Sequence, residues 1–296
     1  MSRCKERCLA KLSVRLPYEE AQQVYEEISG LRTSRMTIHR SVQRLGAALP
    51  IQQGSTRNKQ SLKRQVTADG TMVHLRGEGW KEAKVGACYN VDDQRRAESV
   101  MYVGTLEERA HIGPMLYRAS GEPTMDQTHD MAFIGDGASW LDEIQKEHFP
   151  LATRIVDVWH ASEYLWGVAN EFYGQGSPKA RVWAASRVQQ LQDADQAGLS
   201  RSLCHLAPKT SEQVEVLNNT RRYFRNHGHQ MDYPRYLARG WHIGSGIAEG
   251  GCKYVIETRF KRAGMRWSRT GASHLLRLRL AYLNGAWSQV AQCQQN

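Results

Sequence analysis

Residues 3–48 carry apolar positions at helical spacing: Ala21, Val24, Tyr25 and Ile28 on one stretch, then Ile38, Val42 and Leu45 on the next. Three helices are expected there, with Thr33 or Ser34 placed to cap the third. The joint SGLRTS is short and contains Gly30, which gives the segment the layout of a helix-turn-helix. Its third helix would turn Arg35, His39, Arg40, Gln43 and Arg44 outward, toward phosphates and base edges. The apolar pattern then lapses. The run PIQQGSTRNKQSLKR, residues 50–64, has no acid and little to bury, and reads as a basic linker.

Beyond the linker the period shortens. QVTADGTMVHL alternates as a strand and carries Asp69, residues 83–91 and 99–103 are strand-like, and a helix is expected over 106–117. MAFIGDG is an apolar strand ending at Asp136, followed by the helical ASWLDEIQKEHF. TRIVDVWH is another apolar strand, ending at Asp157 and His160, with a helix over 161–173. Three briefly joined strands suggest an antiparallel meander, and the helix, strand, helix, strand, helix that follow complete an order resembling the ribonuclease H-like fold. Residues 178–240 interrupt it with polar helical segments, read as an all-helical insertion, and HLLRLRLAYLNGAW closes the chain as an amphipathic helix. The expected architecture is α/β: a helix-turn-helix domain over 1–49, the linker 50–64, a mixed-sheet domain over 65–288 holding the insertion, and a polar tail over 289–296.

Charge sharpens this picture. The net charge of +10 is segregated: residues 1–64 contribute +8, residues 253–279 contribute +7, and the remainder is −5. Two basic segments around an acidic middle suit a protein that grips nucleic acid at two places and keeps carboxylates between them. No apolar run approaches transmembrane length, and MSRCKERCLAKL lacks the apolar core of a signal peptide, so a cytoplasmic, nucleoid-associated protein with no membrane partner is expected. The six cysteines, at 4, 8, 88, 204, 252 and 293, form no dense framework and read as reduced thiols. Cys4 and Cys8 share a helix face, but no second ligand pair follows at zinc-finger spacing.

The stretch that organises the chain is WHIGSGIAEGGCKYVIETRFKRAGMRWSRT, residues 241–270. Its glycines allow tight turns and close ligand approach, and Ser245 is placed to cap a helix running to about Arg262. Glu249 in the first turn would sit favourably against the helix dipole in any protein. Here Lys253, Arg259, Lys261, Arg262, Arg266 and Arg269 follow it, so an acid adjoins a surface suited to a phosphate backbone. Asp69 and Asp136 are both followed by glycine and both lie at strands. With Glu249 they would give three hard oxygen ligands for two Mg²⁺ ions, with Mn²⁺ able to substitute, one ion activating a water or 3′-hydroxyl and the other stabilising the leaving oxygen. His160 starts a helix after a buried strand, a place where a histidine is as often a capped core residue as a functional one, and Asp157 could replace Asp136 as second ligand.

The blocks VTADGTMV, FIGDGASWL, IVDVWHASEYL, GSGIAEGGCKYVIETRFKRAGMRWS and LRLAYLNGAW resemble those of the Kra-type insertion-sequence transposases, relatives of the Mutator-like DDE transposases, over residues 10–288. The resemblance implies a ribonuclease H-like catalytic domain that cleaves and joins double-stranded DNA at element ends and into target DNA, with a homo-oligomer assembled on the DNA. It makes Asp69, Asp136 and Glu249 the catalytic triad, and matches Asp157 and His160 to an acid-or-cysteine, two residues, histidine motif. Members of that family extend further at the N-terminus, a departure that implies truncation or a misassigned start and bears on end recognition more than on chemistry. A tyrosine recombinase, suggested by His274, Arg277 and Tyr282, fails because all three fall on one apolar-striped helix. A non-enzymatic DNA-binding protein derived from a transposase is the rival reading, and would be signalled by loss of an acidic ligand.

Overall fold

The computed structural model describes residues 2–50, 63–121 and 131–293. Its centre is a five-stranded sheet in the order β3-β2-β1-β4-β5. Strands β1 (Lys63–Leu75), β2 (Gly79–Val91) and β3 (Ala97–Thr105) form the antiparallel meander, while β4 (Met131–Gly135) and β5 (Thr153–Val156) add to β1 in parallel. Residues 64–67 of β1 have β2 on one side and β4 on the other and are buried, whereas the second half of the strand is paired with β2 alone and varies in exposure. The parallel strands are short and wholly apolar in β4, as strands covered on both faces must be.

Helices α4 (Ile112–Ser120) and α5 (Ser139–His148) cover one face through Val66, Cys88, Leu116, Phe133 and Leu141. Helix α6 (Val158–Tyr173) leads into α7 (Pro178–Gln192), α8 (Gln196–Cys204), α9 (Ser211–His227) and α10 (Tyr233–Ala238), and the group packs with Ile134, Ile155, Leu165, Leu217, Tyr233 and Trp241. The regular elements within residues 178–240 are all helices. Among the described residues no helix is long and apolar enough to cross a membrane.

Helices α1 (Arg3–Ser13), α2 (Tyr18–Ser29) and α3 (Arg35–Ala48) stand where the periodicity put them, and Ser34 caps α3 by accepting from the Thr37 N–H. They are not separated from the sheet. Ala10, Val14, Val42 and Leu45 share one cluster with Val73, Val85, Val255, Leu275 and Leu278. Most of the expected linker, residues 51–62, lies outside the described residues, and β1 already begins at Lys63.

Three expectations need correction. The helix after β3 starts at Ile112, behind a single 3-10 turn over Arg109–His111, six residues later than the apolar pattern suggested. TRIVDVWH is a strand only to Val156, because the Asp157 side chain accepts from the Trp159 and His160 N–H groups and so starts α6. The helix after Ser245 is not uniform. It runs as α11 (Gly246–Gly251), a π-helical turn over Cys252–Glu257 and α12 (Thr258–Phe260), and the Ser245 side chain does not cap it. Helices α13 (Arg269–Leu283) and α14 (Ser288–Gln292) complete the chain, α13 lying over the meander and α3.

Candidate functional site

The parallel ladder fixes where the acids stand. Thr67 pairs with Ile134 and Gly135 with Val156, so continuing the same registers past the strand ends sets Asp69 beside Asp136 and Asp136 beside Asp157. Neighbouring strands are about 4.8 Å apart, which makes these aspartates neighbours at the carboxyl ends of the parallel strands, where open α/β sheets build their sites. Two of them take a local hydrogen bond: Gly70 N–H donates to Asp69 Oδ1 at 2.7 Å, within β1 just past its ladder with β4, and Ala138 N–H donates to Asp136 Oδ1 at 2.9 Å, where the chain leaves β4.

Glu249 reaches this edge because residues 242–245 are laced across it. Gln65 accepts from the His242 N–H at 2.9 Å and donates back to the His242 carbonyl at 3.2 Å, and Val158 N–H donates to the Ile243 carbonyl at 3.0 Å. Ser245 then donates through its N–H at 2.8 Å, and again through its hydroxyl, to Asp157 Oδ2. With Trp159 and His160 on its Oδ1, Asp157 is buried with both oxygens committed to protein donors. Its geometry is that of a clamp between β5, α6 and the Glu249 loop.

Of the five glycines in residues 241–270 only Gly264 takes a left-handed turn, at φ 76°; Gly244, Gly246, Gly250 and Gly251 are not among the positive-φ residues. Gly251 is small because a Cβ there would meet the Tyr102 ring at 3.0 Å, which lets α11 sit directly on β2 and β3, and a Cβ on Gly244 would meet the Trp159 ring at 2.9 Å. Gly246 and Gly250 face open space, leaving bare backbone on either side of Glu249, which is itself exposed.

Electrostatics tie the acids together. Asp69 is half-buried and its carboxyl is raised above the usual carboxylate range, first by burial and then by repulsion from Asp136 and Glu249, against the pull of the Gly70 N–H and of the Cys252 thiol, whose Sγ lies 3.8 Å from Asp69 Oδ2. The charges that chiefly act on it are those of the two acids. Cys252 sits in the π-helical turn, and burial pushes its thiol far up, so it remains a neutral donor. A half-buried carboxylate influenced by two others is a donor set of the kind a hard divalent cation suits. The three do not close on a point: among the described residues no three His, Cys, Asp or Glu side chains stand close enough to hold an ion.

Asp136 also opens into a cavity of about 510 Å³ lined by His160, Tyr164, Arg222, Tyr223 and His227. Tyr164 and Tyr223 stack at 3.9 Å, His160 meets both rings edge-on, and the Tyr223 hydroxyl donates to the Asp136 carbonyl at 3.1 Å. His160 Nδ1 lies 3.3 Å from Glu163 Oε2. Burial pulls His227 below the ordinary histidine value. Sequence reasoning missed the contribution of α9. Its signal was present, since Asn219, Tyr223 and His227 recur every four residues in a helix otherwise read as merely polar.

The basic residues divide. Lys253, Lys261, Arg262, Arg266, Arg35, Arg40 and Arg44 are exposed, but Arg262 pairs with Glu20, Lys261 with Glu257, Arg35 with Glu19, and Arg44 with the buried Glu6. Gln43 is turned toward α13, where its side chain bonds to His274 and Gly271, and His39 lies edge-on to Tyr18. Arg259 is a correction. It is 0% exposed, donates to the Ser13 carbonyl at 2.7 Å, and lies between the Tyr18 and Trp267 rings at 5.3 and 5.1 Å, so the expected surface cation is a core residue.

Residues 17–296 match the uncharacterised protein family (UPF0236), and the chain belongs to that family. No curated protein matches it.

Proposed function

We propose that this member of an uncharacterised family is a DNA transposase of the DDE type, encoded by a bacterial insertion sequence, with the sheet and its helices forming a ribonuclease H-like catalytic domain. The reading rests on one observation above all: the parallel register sets Asp69 beside Asp136, and the hydrogen bonds of residues 242–245 bring the segment that carries Glu249 across the same edge.

Asp69, Asp136 and Glu249 would hold two Mg²⁺ ions, or Mn²⁺ in their place, which supply charge stabilisation and an activated oxygen for phosphodiester cleavage and strand transfer. The chain's own residues do the rest. The bare backbone at Gly246 and Gly250 gives a strand room to approach Glu249, and Trp159, 63% exposed beside Gly244, offers a face for a base. Tyr164, Tyr223 and His160 wall the cavity beside Asp136, and the exposed Arg222 at its edge suits a backbone phosphate. Asp157 is a positioning residue that sets the Glu249 loop. Lys253, Arg266, Arg35 and Arg40 face solvent for duplex DNA of the element ends and target, which a homo-oligomer would bridge.

The test is cleavage of duplex DNA carrying an element end. Asp69→Asn, Asp136→Asn and Glu249→Gln should each abolish Mg²⁺-dependent cleavage and leave DNA binding near wild type, because amides keep the shape but are poor Mg²⁺ ligands. The spread of the three carboxylates favours a second reading, a transposase-derived protein that binds DNA without cutting it. Cleavage retained in Glu249→Gln, or absent from the wild-type chain with binding intact, selects that reading.

A further inference from the structure

A second cleft lies away from the carboxylates, between α2, α3, the β1–β2 turn and the segment leading into α13. It encloses about 280 Å³, and its lining includes Tyr18, Gln43, Arg76, Arg259, Arg266 and Trp267. The segment is locked in place. Trp267 N–H donates to the His74 carbonyl at 3.1 Å, Arg76 N–H donates to the Trp267 carbonyl at 2.7 Å, and the Trp267 ring nitrogen donates to the Phe260 carbonyl at 3.1 Å. Arg76 and Arg266 are thereby held on opposite sides of one short parallel bridge, Leu75 to Trp267.

Three arginines meet there without an acid. No carboxylate lines the cleft, and among the described residues neither Arg76 nor Arg266 has a side-chain partner, whereas Arg35, Arg44, Arg96, Arg262 and Arg269 each pair with one. Arg259 forms the floor. It is fully buried between two aromatic rings, and its Nη2 has no hydrogen-bond partner. A buried guanidinium with a spare donor costs free energy unless something anionic answers it. The cleft also meets the start of α13, where Ser268 caps the helix by accepting from the Gly271 N–H, so the positive end of the helix dipole adds to the arginines.

We propose that this cleft is a phosphate site, in which Arg76 and Arg266 grip one phosphate of a nucleic-acid backbone above Arg259. Planar guanidinium groups suit phosphate oxygens, and Tyr18 and Trp267 give the sugar an apolar wall. The inference rests on the DNA-binding part of the proposed function and not on catalysis. A chain with no cleavage activity would leave its test fully readable.

Arg76→Ala, Arg266→Ala and the double variant are titrated with a short DNA duplex across a salt series, and with inorganic phosphate. Both side chains are exposed and unpaired, so the variants should fold, which a thermal melt checks. Each single variant should bind the duplex about tenfold more weakly, the scale of one charge-assisted hydrogen bond. Because both grip the same phosphate, the double variant should lose little more than the worse single, and the slope of log K against log salt should fall by about one. Additive losses with a slope change of about two mean separate phosphates and overturn the single site. Unchanged duplex affinity with weakened inorganic phosphate assigns the cleft to a free anion and overturns the nucleic-acid source. No change with either probe overturns the proposal altogether.

Discussion

Ser245 donates both its N–H and its hydroxyl to one oxygen of Asp157, a residue 88 positions earlier in the chain. The carboxylate that ends β5 therefore sets the loop that presents Glu249, and Asp157 can govern the site without touching what the site binds. Asp157→Ala should cost about 3 kcal/mol, since it strands buried donors and removes the α6 cap, and Ser245→Ala about 1 kcal/mol. If Asp157 is a clamp, the stabilisation of the chain by Mg²⁺ should survive in Asp157→Asn; its loss in a melting experiment would make Asp157 a ligand instead.

The raised Asp69 carboxyl has a sign that a titration can read. Its folded pKa lies above the unfolded value of about 3.8, so the native state binds the extra proton and stability falls as pH rises from that value through the folded pKa. Asp69→Asn should then melt higher than wild type at neutral pH in chelator, with the gain shrinking toward acid. Adding Mg²⁺ should raise the wild-type melting temperature and leave the variant unmoved. A variant less stable than wild type at neutral pH in chelator would show that the acid cluster carries no penalty.

Arg40 and Arg44 lie on one helix but differ in company. Arg44 reaches back to Glu6, a buried acid in α1, while Arg40 is exposed with no partner among the described residues. Arg40→Ala should weaken duplex binding and flatten its salt dependence without moving the melting temperature. Arg44→Ala should also cost about 1–2 kcal/mol of stability, on the scale of a hydrogen bond to a charged group. Equal stabilities would show that the Glu6 contact contributes nothing.

Arg279 is buried, with its guanidinium on the Val255 carbonyl at 2.7 Å, the Thr258 hydroxyl at 2.5 Å, and the carbonyls of Val14 and Tyr254. Burial lowers it to about 10, which leaves it charged at neutral pH. Arg279→Met keeps the packing but abandons these acceptors, and should destabilise the chain by about 3 kcal/mol. Amide exchange in α1 should rise with it, and unchanged protection there would refute the tie between the two ends.

His148, His227 and His274 are all pulled below the ordinary histidine value by burial. The unfolded chain thus takes up protons that the folded chain refuses, and stability should be lost as pH falls from about 6.5 through the lower folded values. Replacing His227 by Gln should flatten part of that slope. A pH–stability curve level over this range would contradict the burial.

The sequence revealed the strands and helices where a single face is buried, as Ile38, Val42 and Leu45 show for α3. It hid the features that depend on distant neighbours. Arg64 and Gln65 open β1 as buried polar residues because β4 and the His242 loop close over them, so the alternation that marks a strand is missing there. Arg259 was counted with the surface cations because charge was summed without phase. Cys252, Val255, Ile256, Arg259 and Phe260 recur at helical spacing, and that stripe carried the signal that Arg259 faces inward. Asp69 and Asp136 were legible as acids at strands, and the parallel register makes them neighbours. The role of Asp157 was not legible, because it is written in donors from a loop 88 residues away.

The helices at the start of the chain receive their last hydrogen bonds from its end: the carbonyls of Ser13 and Val14 are met by Arg259 and Arg279. Those carbonyls leave the ribosome more than 240 residues before their partners. Until that later segment has emerged, the N-terminal helices hold their own cluster of Leu9, Ala21, Tyr25 and Ile38 but lack those two donors. A chain interrupted ahead of α13 would lack Arg279 and leave the Val14 carbonyl without that donor, while keeping the Arg259 contact to Ser13.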